Sequence, residues 1–200
     1  SSAASDVYKR QIQTELAQLD MPKVRFQVEF RPKAGEYAMD ETGLDEVQFL
    51  MSANVGEDLK PIQKIASGGE LARIMLALKN VLAEDDGIDS LVFDEVDTGV
   101  SGRAAQKVAE KMAQVARKKQ VLCVTHLPQL AAMADVHFSV EKGERKGRTF
   151  TEVERLSRER RMEELARLTS GERITGATLA AAGELLDSAE RFKRALTQQK

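Results

Sequence analysis

The stretch SLVFDEVDTGVSG, residues 90–102, decides how the chain is read. A short apolar run, Leu91 to Phe93, ends in two acids, Asp94 and Glu95. It predicts a buried strand over 90–95, followed by a turn at TGVSG. Ser101 then stands where a helix cap belongs, before a helix over 102–118 whose buried side carries Ala105, Val108, Met112 and Val115. QVLCVTH, residues 120–126, is a second buried strand, and Pro128 opens a short helix in LPQLAAMAD. Upstream, Leu71, Ile74, Met75, Leu78, Val81 and Leu82 share one face of a helix running from Ser67 to about Ala83. The order helix, strand, helix, strand, helix predicts an α/β fold with a parallel sheet.

Other elements flank this centre. Tyr8, Ile12, Leu16 and Leu19 recur at helical spacing over 7–19, and Pro22 closes that helix. VRFQVEFR (24–31) alternates apolar and polar as a strand does, and EVQFLMSA (46–53) is its partner across a polar turn region. NVGEDLKP reads as loop. HFSVEK (137–142) and RTFTEVERL (148–156) pair around GERKG, and terminal helices follow over 159–169 and 178–197. No repeat, low-complexity tract or linker stands out.

Composition excludes several classes. The 200 residues suit one domain or one large lobe. The net charge of −2 carries no global basic footprint for nucleic acid. One cysteine excludes an internal disulfide and fits a reducing compartment; within its apolar run, Cys123 is expected in the core. No apolar run reaches the length of a membrane span, and no signal-peptide pattern is present. The chain opens on Ser rather than Met, which suggests a fragment or processed chain, and the leader SSAAS carries no structural signal.

Three stretches carry candidate chemistry. In open α/β sheets ligands bind beyond the carboxyl ends of strands, where Asp94, Glu95 and His126 are expected. A strand ending in Asp can hold Mg²⁺ near phosphates, so Asp94 is the candidate metal carboxylate, acting through water. Glu95 can orient or deprotonate an attacking water. Two acids that merely end a strand explain these residues equally well. His126 can hydrogen-bond a phosphate, although a satisfied structural histidine is the commoner outcome for a lone His; His137 has no such setting. In KIASGGELAR (64–73), Ser67 and Glu70 fit a capping box. The same helix start also offers an anion site, with free N–H groups, Gly68 and Gly69 admitting close approach, and the Ser67 hydroxyl as donor. These three polar features are expected to converge on one edge of the sheet.

In order and spacing, ASGGELAR, LVFDEVDTGVSG and VLCVTHLPQLAAMAD resemble the signature motif, the Walker B strand with its D-loop, and the switch histidine of ATP-binding-cassette ATPases. Glu70, in place of the usual transporter Gln, and EVDTGVSG, in place of EPTSALD, point away from transporters. The chain is most similar to bacterial repair ATPases related to the structural-maintenance-of-chromosomes (SMC) proteins, over roughly 20–197, with the first eleven residues unmatched. The resemblance implies the C-terminal lobe of an ATPase head over 23–200, P-loop NTPase-like, with a parallel sheet and flanking helices. It makes residues 1–22 an unmatched leader plus the returning end of a coiled-coil helix. It implies ATP and Mg²⁺ as cofactors. Ser67, Gly68, Gly69 and Glu70 would meet ATP held by the opposite protomer, Asp94 would serve the metal, Glu95 and His126 would be catalytic, and Asp97 would lie in a D-loop communicating across the dimer. Implied partners are an N-terminal lobe of the same protein, a second copy joined through ATP, and DNA, with no membrane. The implied setting is a bacterial cytoplasm, nucleoid-associated, and the implied role is double-strand-break repair and recombination.

A complete ATP site also needs G-x-x-x-x-G-K-[ST], and no glycine in this chain is followed by Lys-Ser or Lys-Thr. The chain thus reads as half a head, expected to bind ATP poorly and hydrolyse none alone, with an exposed edge or apolar face for the missing lobe. Two other readings compete: the head of a different chromosome-maintenance or recombination ATPase, and a non-catalytic dimerisation module. Residues 142–161 hold eight Lys/Arg against four Glu, an excess that can meet phosphates, but a solvated hairpin and helix face accounts for it more simply. Charge reversal at Arg145 and Lys146 is expected to leave salt-dependent DNA binding by the full-length protein unchanged; a fall in binding and in its salt slope would restore the patch.

Overall fold

The computed structural model describes residues 2–34, 38–52, 56–64, 68–82, 87–145, 148–171 and 173–198. The chain divides into two compact units, Ser1–Ile88 and Asp89–Lys200.

The first unit joins two helices to a small antiparallel sheet. Helix α1 spans Ser2–Gln18, beginning five residues before the predicted start. Ala3 and Ala4 are strong helix formers and no Gly or Pro interrupts the leader, so residues 2–5 join the helix. Strands β1 (Arg25–Pro32) and β2 (Asp45–Ser52) pair as expected, with Phe26 opposite Met51 and Phe30 opposite Val47. The segment expected as loop supplies a short third strand, β3 (Lys60–Pro61), on the free edge of β2, then a single 3-10 turn over 62–64. Two residues are too few for a period-2 pattern to register. At the hairpin tip Asp40 accepts hydrogen bonds from Lys33 Nζ and from Thr42 N and Oγ1, the latter two at 2.7 Å. The Lys33 bond first, then those from Thr42, hold its carboxyl down at about 2.

Helix α2 is described over Gly68–Leu82. Leu16 and Leu19, at and beyond the end of α1, and Ile74, Leu76 and Ala77 of α2 are fully buried, and the two helices pack together. Asn80 Nδ2 donates to Glu15 Oε2 at 2.8 Å. The predicted helix ends, Ser67 and Ala83, and the acidic stop at 84–86 lie outside the described residues.

In the second unit, β4 (Ser90–Phe93) and β5 (Gln120–Cys123) pair parallel, with Leu91 opposite Val121 and Phe93 opposite Cys123. Helix α3 (Gly102–Val115) is the connection between them, as parallel pairing requires. It ends before the predicted 118, because i→i+3 bonds from Arg117 and Lys118 tighten the chain out of the helix toward β5. Ser101 occupies the cap position in an extended conformation, but its side chain makes no capping bond, so the expected cap is positional only. Helix α4 (Pro128–Met133) starts on its proline. Strands β6 (Phe138–Arg145) and β7 (Arg148–Arg155) form the predicted hairpin, with β6 extending to Arg145, three residues beyond the expected 142. Helices α5 (Arg158–Ser170) and α6 (Gly176–Gln198) close the unit against α4.

The parallel strands differ from expectation in one respect. The sequence predicts both as buried, yet only one face is: Leu91 and Phe93 are buried while Val92 is 72% exposed, and Leu122 and Val124 are 50% and 64% exposed. An unbroken apolar run leaves the burial of its two faces undetermined. Truncation of the fully buried Ile74 to Ala is expected to cost about 2–5 kcal/mol through the cavity it leaves, read as a lower midpoint in chemical denaturation; a loss below about 1 kcal/mol would show that this position is not tightly packed.

Candidate functional site

The carboxyl end of β4 is where the chain breaks from strand geometry. Asp94 follows Phe93, and its Oδ1 accepts the Glu95 backbone N–H at 2.9 Å. Glu95 takes a left-handed conformation, φ 57°, uncommon for a non-glycine residue and found disproportionately at functional sites. Thr98 N donates to Glu95 O at 3.0 Å and Val100 N to Asp97 O at 3.3 Å. Gly99, at φ 76°, lets the turn reverse where a side chain would be strained. Asp94 and Glu95 are therefore both exposed, lifted from the strand end by a tight turn.

The end of β5 meets that turn. Val124 N still donates to Phe93 O at 3.0 Å, so the strands stay in register to the point where both leave the sheet. Asp97, expected in the D-loop, is 3% exposed. Its Oδ2 accepts from Thr125 Oγ1 at 2.5 Å and from the His126 backbone N at 3.0 Å, and lies 3.2 Å from His126 Nδ1. Thr125 Oγ1 in turn accepts from Leu127 N at 3.0 Å. The His126 side chain stays 73% exposed. Downstream, Arg161 of α5 donates from one Nη to the carbonyls of Ala131, Ala132 and Ala134, at 3.2, 3.1 and 2.8 Å. A cation there satisfies the end of α4 and opposes its dipole, although burial lowers the Arg161 pKa.

Asp94, Glu95, Asp97 and His126 thus come together within the second unit. Gly68, Gly69 and Glu70 open α2 in the first unit, with Gly68 exposed and Gly69 buried; Ser67 lies outside the described residues, and its capping bond with it. Arg73, one turn on, is buried; burial lowers its pKa against the opposing pull of Glu70 and Asp20. Among the described residues no group of three or more His, Cys, Asp or Glu could hold a metal. A Mg²⁺ site uses one or two carboxylates with water and phosphate oxygens, and Asp94 is exposed at the strand end where it can supply one. Sequence reasoning misses Thr125 and Arg161: a polar residue one place before His126 is the signal for the first, and the second has none.

Cys123 is half-buried rather than in the core, because the exposed face of β5 begins beside it. Burial first, then Asp97 and Asp94, push its thiol from 9.0 up to about 12, so it is no nucleophile at neutral pH. Three cations of the basic segment 142–161 have partners outside it: Arg158 pairs with Asp187 and Glu190, Arg160 with Glu163 at 2.8 Å, and Arg161 donates to carbonyls at the end of α4. Among the described residues no helix is long and apolar enough to cross a membrane.

No family model matches the chain. It is 47% identical to the DNA repair protein RecN of Halalkalibacterium halodurans over 96% of its own length, and 44% identical to RecN of Bacillus subtilis over 92%. By sequence the chain is RecN-like. It spans about a third of the length of these relatives, 36% and 34%. Among solved structures it resembles the Smc head domain of Pyrococcus yayanosii, with a TM-score of 0.58, 22% identity and coverage of 84% of this chain and 30% of that one. It also resembles a chain from a study of ATP-driven dimerization and DNA-stimulated activation of SMC ATPases, with a TM-score of 0.51, 20% identity and coverage of 84% and 94%. The fold of this RecN-like segment is that of an SMC-type head.

Iodoacetamide labelling of Cys123 at neutral pH is expected to be roughly tenfold or more slower in the native than in the denatured chain, and equal rates would refute the shifted thiol. Only the unfolded chain ionises this thiol between 9.0 and about 12, so its contribution to stability is lost as pH rises through that window.

Proposed function

We propose that this chain is the C-terminal lobe of an ATP-hydrolysing head in a RecN-like protein of DNA double-strand-break repair and recombination, cytoplasmic and nucleoid-associated. The carrying observation is Glu95, an exposed carboxylate held at φ 57° beside Asp94 on the end of a parallel strand. In this reading Glu95 orients and deprotonates the attacking water. Asp94 faces Mg²⁺ through water, and bound Mg²⁺ supplies charge neutralisation at the phosphates. His126 contacts the γ-phosphate. Ser67, Gly68 and Gly69 meet nucleotide held by a second protomer at the amino end of α2, and Glu70 caps that helix. Asp97 belongs to the D-loop. The cradle for the phosphates belongs to an N-terminal lobe, as no G-x-x-x-x-G-K-[ST] occurs here, and α1 continues a coiled coil. DNA is a partner by analogy with the RecN relatives, which are named as DNA repair proteins.

Val92, Leu122 and Val124 form an exposed apolar face on the parallel pair, which supports docking of that N-terminal lobe, since apolar patches of this kind mark interaction surfaces.

In the full-length protein, Glu95→Gln is expected to lower ATP turnover by about 10²–10⁴-fold while ATP-dependent dimerisation persists; turnover within about threefold of wild type would sink the role of Glu95. When the two lobes are expressed as separate chains, Val92→Lys with Val124→Lys is expected to abolish their co-purification. Undiminished co-purification would move the docking face elsewhere.

A further inference from the structure

Asp97 has a role beyond membership of a turn. It is nearly inaccessible, and one carboxylate oxygen gathers the hydroxyl of Thr125, the backbone N–H of His126 and the Nδ1 of the same histidine. A buried carboxylate is costly unless fully engaged, so this oxygen fixes the position of whatever donates to it. We infer that Asp97 is the positioning residue of His126: it holds the imidazole in the Nδ1–H form, aimed outward, with the Nε2 lone pair presented to the nucleotide.

The geometry ties three things to one carboxylate. The His126 backbone is fixed by its N–H and the preceding hydroxyl. The Nδ1 of the ring lies 3.2 Å from the same oxygen, and an imidazole nitrogen beside a carboxylate oxygen is the one that carries the hydrogen. The remaining nitrogen then has no choice of state in the neutral ring: it is the acceptor. Asp97 also lies two residues after Glu95 in the same hydrogen-bonded turn. The clasp therefore sets the place of the histidine relative to the turn that carries the candidate base. A carboxylate behind a catalytic imidazole works this way in other active sites, by orientation and tautomer rather than by proton transfer. The inference rests on the proposed role of His126 for its kinetic consequence, but not for its structural content.

The test has two arms, both in the full-length protein. Without nucleotide, at alkaline pH, nitrogen NMR of histidine-labelled protein, with the His126 signals assigned by their loss in His126→Gln, is expected to show hydrogen on Nδ1 and a bare Nε2. Hydrogen on Nε2 overturns the clasp whatever the enzyme does, and this arm needs no Asp97 variant to fold. In the second arm, steady-state ATP turnover is measured for Asp97→Asn, His126→Gln and the double variant. Asp97→Asn serves Thr125 and the His126 N–H only with its amide oxygen at the shared position, and a neutral oxygen there holds an Nδ1–H more weakly than a carboxylate does. The variant is expected to lower kcat at least tenfold with KM for ATP changed less than threefold. The double variant is expected to be within twofold of His126→Gln alone, because Asp97 acts through the ring. Multiplying losses overturn the positioning role. If His126→Gln turns over as wild type, the catalytic reading of His126 fails instead, and the NMR result alone decides the clasp.

Discussion

The parallel register of β4 and β5 is the constraint on which the candidate site depends. Phe93 opposite Cys123, extended by the bond from Val124 N to Phe93 O, brings both strands to the end of the sheet at the same level. The polar groups just beyond each strand then have to be satisfied locally, because no further ladder partner is available there. The turn after β4 satisfies them through Asp94 Oδ1 and the carbonyls of Glu95 and Asp97. The loop after β5 uses the carboxylate of Asp97. A slip of the pair by one residue would invert both faces and separate Asp97 from Thr125 and His126.

This arrangement explains why a left-handed glutamate is tolerated at 95. A conformation of that kind costs of order 1–3 kcal/mol and persists only where the surroundings over-determine it. Here they do: Glu95 is fixed on its N–H by Asp94, on its carbonyl by Thr98, and two residues later by a buried side chain bonded to the neighbouring strand end. The strain falls on the residue whose carboxylate has to leave the sheet, and the bonds that support it come from the side chain before it, the turn backbone after it and the buried Asp97.

Much of this is legible in the sequence. The apolar runs at 90–93 and 120–123, the turn residues after each, and the 3.6-residue spacing of α2 and α3 locate every element that carries the site. The less legible features lack periodicity. β3 is two residues long, and Ser101 looks like a cap but makes no capping bond, because residue type at a helix start states a capacity rather than a contact. The burial of Asp97 is invisible in the sequence, since an acid in an Asp-Thr-Gly turn normally faces water. The exposed face of β4 and β5 escapes for a different reason. A run such as Leu-Val-Phe records that both faces are apolar, not that this chain covers both.

That distinction bears on the basic segment as well. Eight cations against four acids within 142–161 look like a surface for phosphates when counted along the chain. In space, Arg158 and Arg160 are matched by carboxylates from α5 and α6, and Arg161 ends α4. α4 continues directly from the His126 loop, so one of the cations that the sequence turns outward instead holds the far end of the helix that the histidine leads into. Composition leaves these arginines on a solvated face; geometry assigns Arg161 to the support of the candidate site. The loop is therefore fastened at its start by Asp97 and beyond its helix by Arg161, so the backbone of His126 is held from both directions.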